Sequence, residues 1–581
     1  MNIPIKDYFI LLNKYLKKHI IMVITLFLII IINLVLQLIN PQILRYFIDK
    51  VVVGEVGKNL IIIAVLFASF GVLRQILKVI AAYMSEKIGW IATNDLRRDL
   101  IEHCINLDMS FHKNHQSGEM IERVDGDVNS LFNFFSTFIL ELLSNVGLLI
   151  GVIVLLYRED YRVGLTLTIV AIIDVLVMKY VEKKSSRHWA KSREYSANLY
   201  GFLGEQVTSV EDIATSGSKE YSMGLLYKLY KKMLPVEVKA SLGHYYMWIA
   251  NVIVFALGNA AALILSAFLF SKKEISFGTV YLIFHYTDLM FYPLEEIKSQ
   301  LQKLQRAEAS IKRVKELFNT KSNIKYGDSI LNRNDSIGIE IKDVSFSYED
   351  DEKVLSDINM KIERNTILGV LGHTGSGKTT LARLIVRLYD TSQGSVLFNG
   401  ENIKNFSKES LLDSISYVTQ EVQIFNASLR ENLTMFNPNI DDELIMKIID
   451  DIGMSEWLKK LPSGLDSVMD NGGTGLSAGE AQLVAFIRVF LKNPKVVILD
   501  EATSKLDPIT ERLVDNALNK LLVDRTCIII AHRLGTVEKA HNILILEEGN
   551  IVEAGNRKAL ISDENSKFYD LLQKGMEEVL V

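Results

Sequence analysis

The sequence predicts two halves of different fold class. The first is an all-α, six-helix membrane domain, and the second is a soluble α/β domain built on a phosphate-holding strand–loop–helix. Three observations predict this. Up to about residue 310, long apolar runs alternate with basic, polar stretches, whereas beyond about residue 338 short apolar strands are separated by turns and helices. Six of the apolar runs are long enough to cross a bilayer. The stretch GHTGSGKTT at 372–380 follows a buried apolar strand and opens a helix. With 581 residues the chain has room for roughly three or four domains, and the reading divides it into 1–320, a linker 321–338, and 339–581.

A bilayer-crossing helix needs about 20 mostly apolar residues, because lipid offers free backbone amides no partner. Runs at 20–42, 58–84, 131–157, 161–182, 244–271 and 277–298 meet that need. Short connections at 43–57, 157–160 (YRED) and 271–276 (SKKEIS) alternate with long, Lys- and Arg-rich ones at 85–130 and 183–243. The positive-inside bias then puts the long loops, both termini and the second half in the cytoplasm, with the chain multi-pass in an inner or plasma membrane. Segments such as IATNDLRRDLIEHCINL are helical in pattern, so the spans are expected to continue as helices past the bilayer. The first run is too long for the apolar core of a cleavable signal, and the amphipathic stretch before it is expected to lie in the membrane interface. Arg74, Lys78, Glu141, Asp174, His285 and Asp288 fall inside spans, where charge is costly. Mutual pairing, such as Arg74 or Lys78 with Asp174, and the lining of a translocation cavity stand as alternatives.

The second half begins as strand, turn, strand, then IERNTILGVLG and HTGSGKTT. This is G-x-x-x-x-G-K-[ST] in the context that gives it meaning, between a strand and a helix. Gly372, Thr374, Gly375, Ser376 and Gly377 form the loop, whose glycines let backbone N–H groups wrap phosphates at a helix N-terminus. Lys378 is expected on the β- and γ-phosphates, Thr379 on Mg²⁺, and Thr380 completes the motif. KVVILDEATSKLD at 495–507 is an apolar strand ending in Asp500, a candidate Mg²⁺ ligand, and Glu501, a candidate general base. IIIAHRL at 528–534 repeats the pattern and delivers His532 toward the γ-phosphate and the attacking water.

A second phosphate holder, LSAGEAQ at 476–482, precedes these strands. LSAGE followed by that acidic strand, a loop and a histidine resembles the ATP-binding cassette (ABC) family. Six spans fused ahead of one cassette resemble a half-size multidrug or lipid exporter of that family, and the resemblance covers essentially the whole chain. It implies ATP and Mg²⁺ as cofactors, ATP hydrolysis coupled to transport, and a second half-transporter as partner. It also implies a small amphiphilic molecule, lipid or peptide as cargo, moved out of the cytoplasm or inner leaflet. By motif, Tyr348 in VSFSY would stack on adenine, Gln420 in SYVTQ would watch Mg²⁺ and the γ-phosphate, and Ser504 to Asp507 would be the D-loop. Ser477, Gly479 and Glu480 would meet an ATP held by the other chain, which is why one polypeptide carries two phosphate holders. Coupling helices are implied near 111–118 and 209–217.

Two departures from the family pattern stand out. The usual LSGGQ reads with Ala478 and Glu480 here, and Asn471 stands where a Glu is common. Either the variant is benign in a homodimer, or the chain is half of a heterodimer with unequal sites. The rival classes are a soluble ABC clamp and an importer subunit; the fused spans argue against both. A net charge of −5 argues against a nucleic-acid binder. The two cysteines, Cys104 and Cys527, lie far apart without ligand-like neighbours, which argues against a disulfide framework or zinc site.

Overall fold

The structure is a computed structural model and describes residues 14–55, 57–133, 136, 139–332, 335–348, 353–469, 476–500, 508–531 and 537–574. The chain divides into two compact units, residues 1–105 with 117–320, and residues 106–116 with 321–581.

The first unit is built from six long helices, Ile20–Val52, Lys58–Ile105, Ile139–Glu159, Tyr161–Thr208, Lys219–Ser271 and Phe277–Asn319. Helices of 48 and 53 residues rise about 70–80 Å, more than twice the hydrocarbon thickness, so they do continue past any bilayer. Among the described residues five helices are long and apolar enough to span. The sixth predicted run, in Phe277–Asn319, falls short because tyrosines, His285 and Asp288 dilute it. Its apolar face is buried all the same: Leu282, Ile283, Tyr286 and Met290 pack with Leu148, Val152, Leu167 and Phe255 of neighbouring helices. Asp288 lies off that buried face and is exposed. Within the third expected run, 131–157, the described residues are helical up to Asn133 and again from Ile139 to Glu159.

The three short connections are tied to one another. Arg45 donates to Glu159 at 2.6 Å. Asp49 accepts from the Ser276 hydroxyl at 2.7 Å and the Gly278 amide at 2.8 Å. Arg162 reaches both Asp160, at 2.9 Å, and Glu274. Asp160 and Ser276 are also N-caps, accepting from Arg162 N and Thr279 N. Of the intramembrane polar residues, Asp174 is buried, Glu141 accepts from Gln300, and Arg74 accepts at its backbone carbonyl from Asn33.

Among the described residues the second unit carries two larger sheets and a two-stranded one. Strands β1 (Ile339–Ser347), β2 (Lys353–Ile362), β3 (Ile367–Leu371), β4 (Gln393–Phe398), β5 (Glu401–Asn402) and β6 (Ile415–Val418) come first. They are followed by β7 (Ala427–Ser428), β8 (Val468–Met469), β9 (Val496–Asp500), β10 (Thr526–Ile530), β11 (Asn542–Glu547) and β12 (Asn550–Asn556). An antiparallel sheet has the order β2-β1-β4-β5, and a six-stranded sheet has the order β12-β11-β3-β10-β9-β6. All pairings in the larger sheet are parallel except β11 with β12. Its central strands β3, β9 and β10 are buried at every position because both faces are covered. Ile367, Leu371, Val497, Leu499, Cys527 and Ile529 enter one core, and Leu368, Val370, Val496, Ile498, Ile528 and Ile530 enter the other.

Candidate nucleotide site

Register sets the site. Ile530 of β10 pairs with Val370 of β3 on one side and with Asp500 of β9 on the other. The phosphate loop, the acidic strand end and the strand leading to His532 therefore finish at one level, on the carboxyl edge of the sheet. Glu501, His532 and Asp507 themselves, with Ser504 and Asn471, lie outside the described residues.

The loop after β3 turns through Gly372, Gly375 and Gly377, with φ of 148°, 86° and 100°. Side chains rarely adopt these angles. A β-carbon on Gly372 would collide with the Leu546 carbonyl, and one on Gly377 would sit 2.6 Å from the Leu355 side chain. At Gly375 no described residue stands within 4 Å of that position, which leaves the backbone there open to a ligand. Gly377 is the N-cap of the helix Lys378–Ile385. The Lys378 ammonium is buried and donates to the carbonyls of Gly372 and His373 at 2.7 and 2.9 Å. The Ser376 hydroxyl is buried with no partner among the described residues, an orphan group where a phosphate oxygen would satisfy it. Thr374 is exposed and Thr379 partly so.

Thr380 does different work from its neighbours. Its hydroxyl lies 3.0 Å from the Tyr348 hydroxyl, which also accepts from Arg383 at 3.3 Å. These bonds orient the ring expected to stack on adenine. The Lys113 ammonium lies 4.1 Å from the centre of that ring, a cation–π contact. Lys113 belongs to residues 106–116, which are held within this unit by further bonds. Asp108 accepts from the Asn323 amide at 2.5 Å, and Lys408 donates to Asn106 at 3.2 Å.

Asp500 is buried, and its carboxylate accepts from the Tyr417 hydroxyl at 2.8 Å. Burial, reinforced by the neighbouring Asp500 carboxylate, pushes the Tyr417 phenol far above its ordinary range, so it stays a donor. The sequence does not mark Tyr417 as a site residue; its place on β6, three residues before Gln420 and paired with Ile498 of β9, is what points to it. Gln420 is exposed beyond the end of β6.

LSAGE starts the helix Ala478–Lys492 through a capping box. Ser477 Oγ accepts from Glu480 N at 3.2 Å, and Glu480 Oε2 accepts from Ser477 N at 2.6 Å. The other carboxylate oxygen of Glu480 accepts from Trp457 Nε1 at 2.7 Å. Both carboxylate oxygens of Glu480 are thus engaged within its own chain. Gly479 is buried in the first turn.

Two family models match this arrangement. Residues 355–504 match the ABC transporter model, and residues 23–294 match the ABC transporter transmembrane region. The chain belongs to the ABC transporters. YknV, an ABC transporter ATP-binding protein of Bacillus subtilis, is 29% identical over 543 residues, covering 92% of this transporter and 89% of the relative. An ATP-dependent lipid A-core flippase of Idiomarina loihiensis is 28% identical over 531 residues, covering 88% and 89%. YgaD of Bacillus subtilis, a putative multidrug export ATP-binding/permease protein, is 28% identical, covering 90% and 92%. In fold, the transporter matches a bacterial Atm1-family ABC exporter with ATP bound, at a TM-score of 0.81 and 20% identity, over 95% of this chain and 98% of that one. It is thus a multi-pass, ATP-driven exporter of the half-size type, which binds and hydrolyses ATP and whose half-size fold implies dimerisation.

Proposed function

We propose that this chain pairs with a second copy of itself and moves a small amphiphilic molecule, lipid or peptide from the cytoplasm or inner leaflet outward. The relatives named for lipid A-core flipping and for multidrug export support that cargo class. The lysine-rich loops at 85–130 and 183–243 support a cytoplasmic placement of the nucleotide unit and both termini.

The observation that carries the nucleotide chemistry is the loop at 372–379, with open backbone at Gly375 and the orphan Ser376 hydroxyl. In this reading the loop amides wrap the phosphates, and Lys378 exchanges its loop carbonyls for β- and γ-phosphate oxygens. Tyr348 stacks on adenine. Thr379, Asp500 and Gln420 would hold Mg²⁺, which supplies charge neutralisation of the transferred phosphoryl group. The buried Asp500 carboxylate, fixed by Tyr417, suits that ion. Glu501 polarises the attacking water, and His532 orients it against the γ-phosphate. Ser477, whose oxygen accepts from Glu480 N, still has its own O–H to donate to a γ-phosphate held by the other copy, with the Gly479 backbone beside it and the Asp507 loop completing the joint. Hydrolysis removes the charge that bridges both copies, and the closed arrangement loses its binding energy.

The Trp457 contact favours a homodimer, because it gives Glu480 a structural reason that needs no unequal partner. The test is ATP hydrolysis by the purified chain in lipid nanodiscs. Turnover by the chain alone, lost in Lys378→Ala and Glu501→Gln, is the expected result. Normal turnover in Lys378→Ala refutes the site, and hydrolysis only with a different half-transporter refutes the homodimer.

A further inference from the structure

A groove of about 570 Å³ opens between the helices Tyr161–Thr208 and Lys219–Ser271, well within the size of small-molecule sites. We infer that it binds the anionic, phosphate-bearing headgroup of a membrane lipid. Three observations carry this. The first is charge. Lys184, His188 and Lys239 line the groove, and among the described residues no carboxylate lines it and none of these three side chains makes a hydrogen bond or ion pair.

The second is an orphan donor. Ser185 is only 5% exposed and lines the same groove, yet its hydroxyl has no partner among the described residues. Gly243 faces it so closely that a β-carbon there would overlap the Ser185 oxygen. The two helices therefore meet at the floor of the groove around a hydroxyl with no partner among the described residues. A buried polar group without a partner costs free energy unless a ligand or water satisfies it.

The third is position along the chain. The apolar run of the first helix ends in VMKYVEKK, and that of the second begins after VKASLGHYY. The groove thus lies where each helix passes from apolar to basic sequence, at headgroup depth for a spanning helix. Tyr180 and Tyr246 flank it and are 71% and 60% exposed, as amphipathic rings at a membrane interface are. A phosphate there reaches both lysines and Ser185, while its acyl chains follow the apolar surface of the helices. A free soluble phosphate matches the basic groups but leaves the apolar walls and the depth unexplained. The inference rests on the membrane placement of these helices and not on the nucleotide site.

The test uses the full chain in detergent micelles, with lipid binding counted by native mass spectrometry. Dioleoyl phosphatidylglycerol is the probe, and dioleoyl phosphatidylcholine and inorganic phosphate are the comparisons. A lysine beside an anionic lipid is worth about fivefold in affinity, so Lys184→Gln with Lys239→Gln is expected to weaken phosphatidylglycerol binding about 25-fold. Lys183→Gln with Lys191→Gln removes the same charge from outside the groove and is expected to change it less than about threefold. Ser185→Ala removes the orphan hydroxyl without touching charge or adding bulk and is expected to weaken binding also, which guards against misfolding of the lysine pair. Equal loss in both lysine pairs, no preference over phosphatidylcholine, or full displacement by millimolar inorganic phosphate overturns the assignment. ATP hydrolysis measured in parallel reports separately on the nucleotide site.

Discussion

Replacing Glu480 by Gln restores the residue more usual in the signature, and it is expected to weaken the protein. The Glu480 carboxylate accepts two bonds, from Ser477 N at 2.6 Å and Trp457 Nε1 at 2.7 Å, one on each oxygen. Glutamine has a single acceptor oxygen, and its NH₂ would confront one of those donors. A hydrogen bond to a charged group is worth about 1.5–3 kcal/mol, and partial exposure here reduces that to about 1–2 kcal/mol. Loss of a negative charge in the first helical turn adds about 0.5 kcal/mol. The total is about 2 kcal/mol, which lowers the midpoint of a unit of this size by about 4–8 °C. Thermal unfolding of the solubilised chain, followed by calorimetry, reads the shift in the nucleotide-binding transition. A double-mutant cycle with Trp457→Phe isolates the cause, since in that background Glu480→Gln should cost about 1 kcal/mol less. An unchanged midpoint, or costs that simply add, refutes the two-acceptor argument.

Gly377→Ala forces a side chain into φ 100° against Leu355, and is expected to reduce ATP binding at least tenfold by equilibrium filtration. Lys113→Met removes the cation over Tyr348, worth about 0.5–1 kcal/mol, and should change ATP affinity two- to fivefold while leaving pyrophosphate binding unchanged. Tyr417→Phe frees the Asp500 carboxylate and should raise the Mg²⁺ concentration for half-maximal hydrolysis about three- to tenfold. The same residue predicts an alkaline effect. An unfolded tyrosine ionises near 10, whereas the folded Tyr417 phenol is held above that, so the unfolded state loses its proton first. Stability is therefore present below pH 10 and declines above it, and denaturation at pH 9 and pH 11 should show a shallower decline in Tyr417→Phe.

The phosphate loop was legible because its spacing lies within nine consecutive residues, 372–380, and its context is a strand and a helix. The parallel strands were legible for a related reason: burial on both faces writes itself as an unbroken apolar run. What stayed hidden depends on chain distance. Tyr417 meets Asp500 across 83 positions and Trp457 meets Glu480 across 23, and no local pattern announces either bond. A span and the helix that carries it differ in length: the apolar run 20–42 lies within a helix that passes Pro41 and continues to Val52. A proline removes one backbone bond but does not stop a helix that its neighbours hold in place. The sixth run was read correctly as a long helix, but its hydropathy understates how well it is buried.

The ties among the three short connections, Arg45 to Glu159, Asp49 to Ser276 and Gly278, and Arg162 to Glu274, have a mechanical result. They fasten one rim of the bundle, so helices anchored there behave as levers. A 53-residue rod such as Lys219–Ser271 is about 80 Å long, and tilting it by about 5° at the fastened rim swings its far tip through roughly 7 Å. Small hinge angles thus become large strokes.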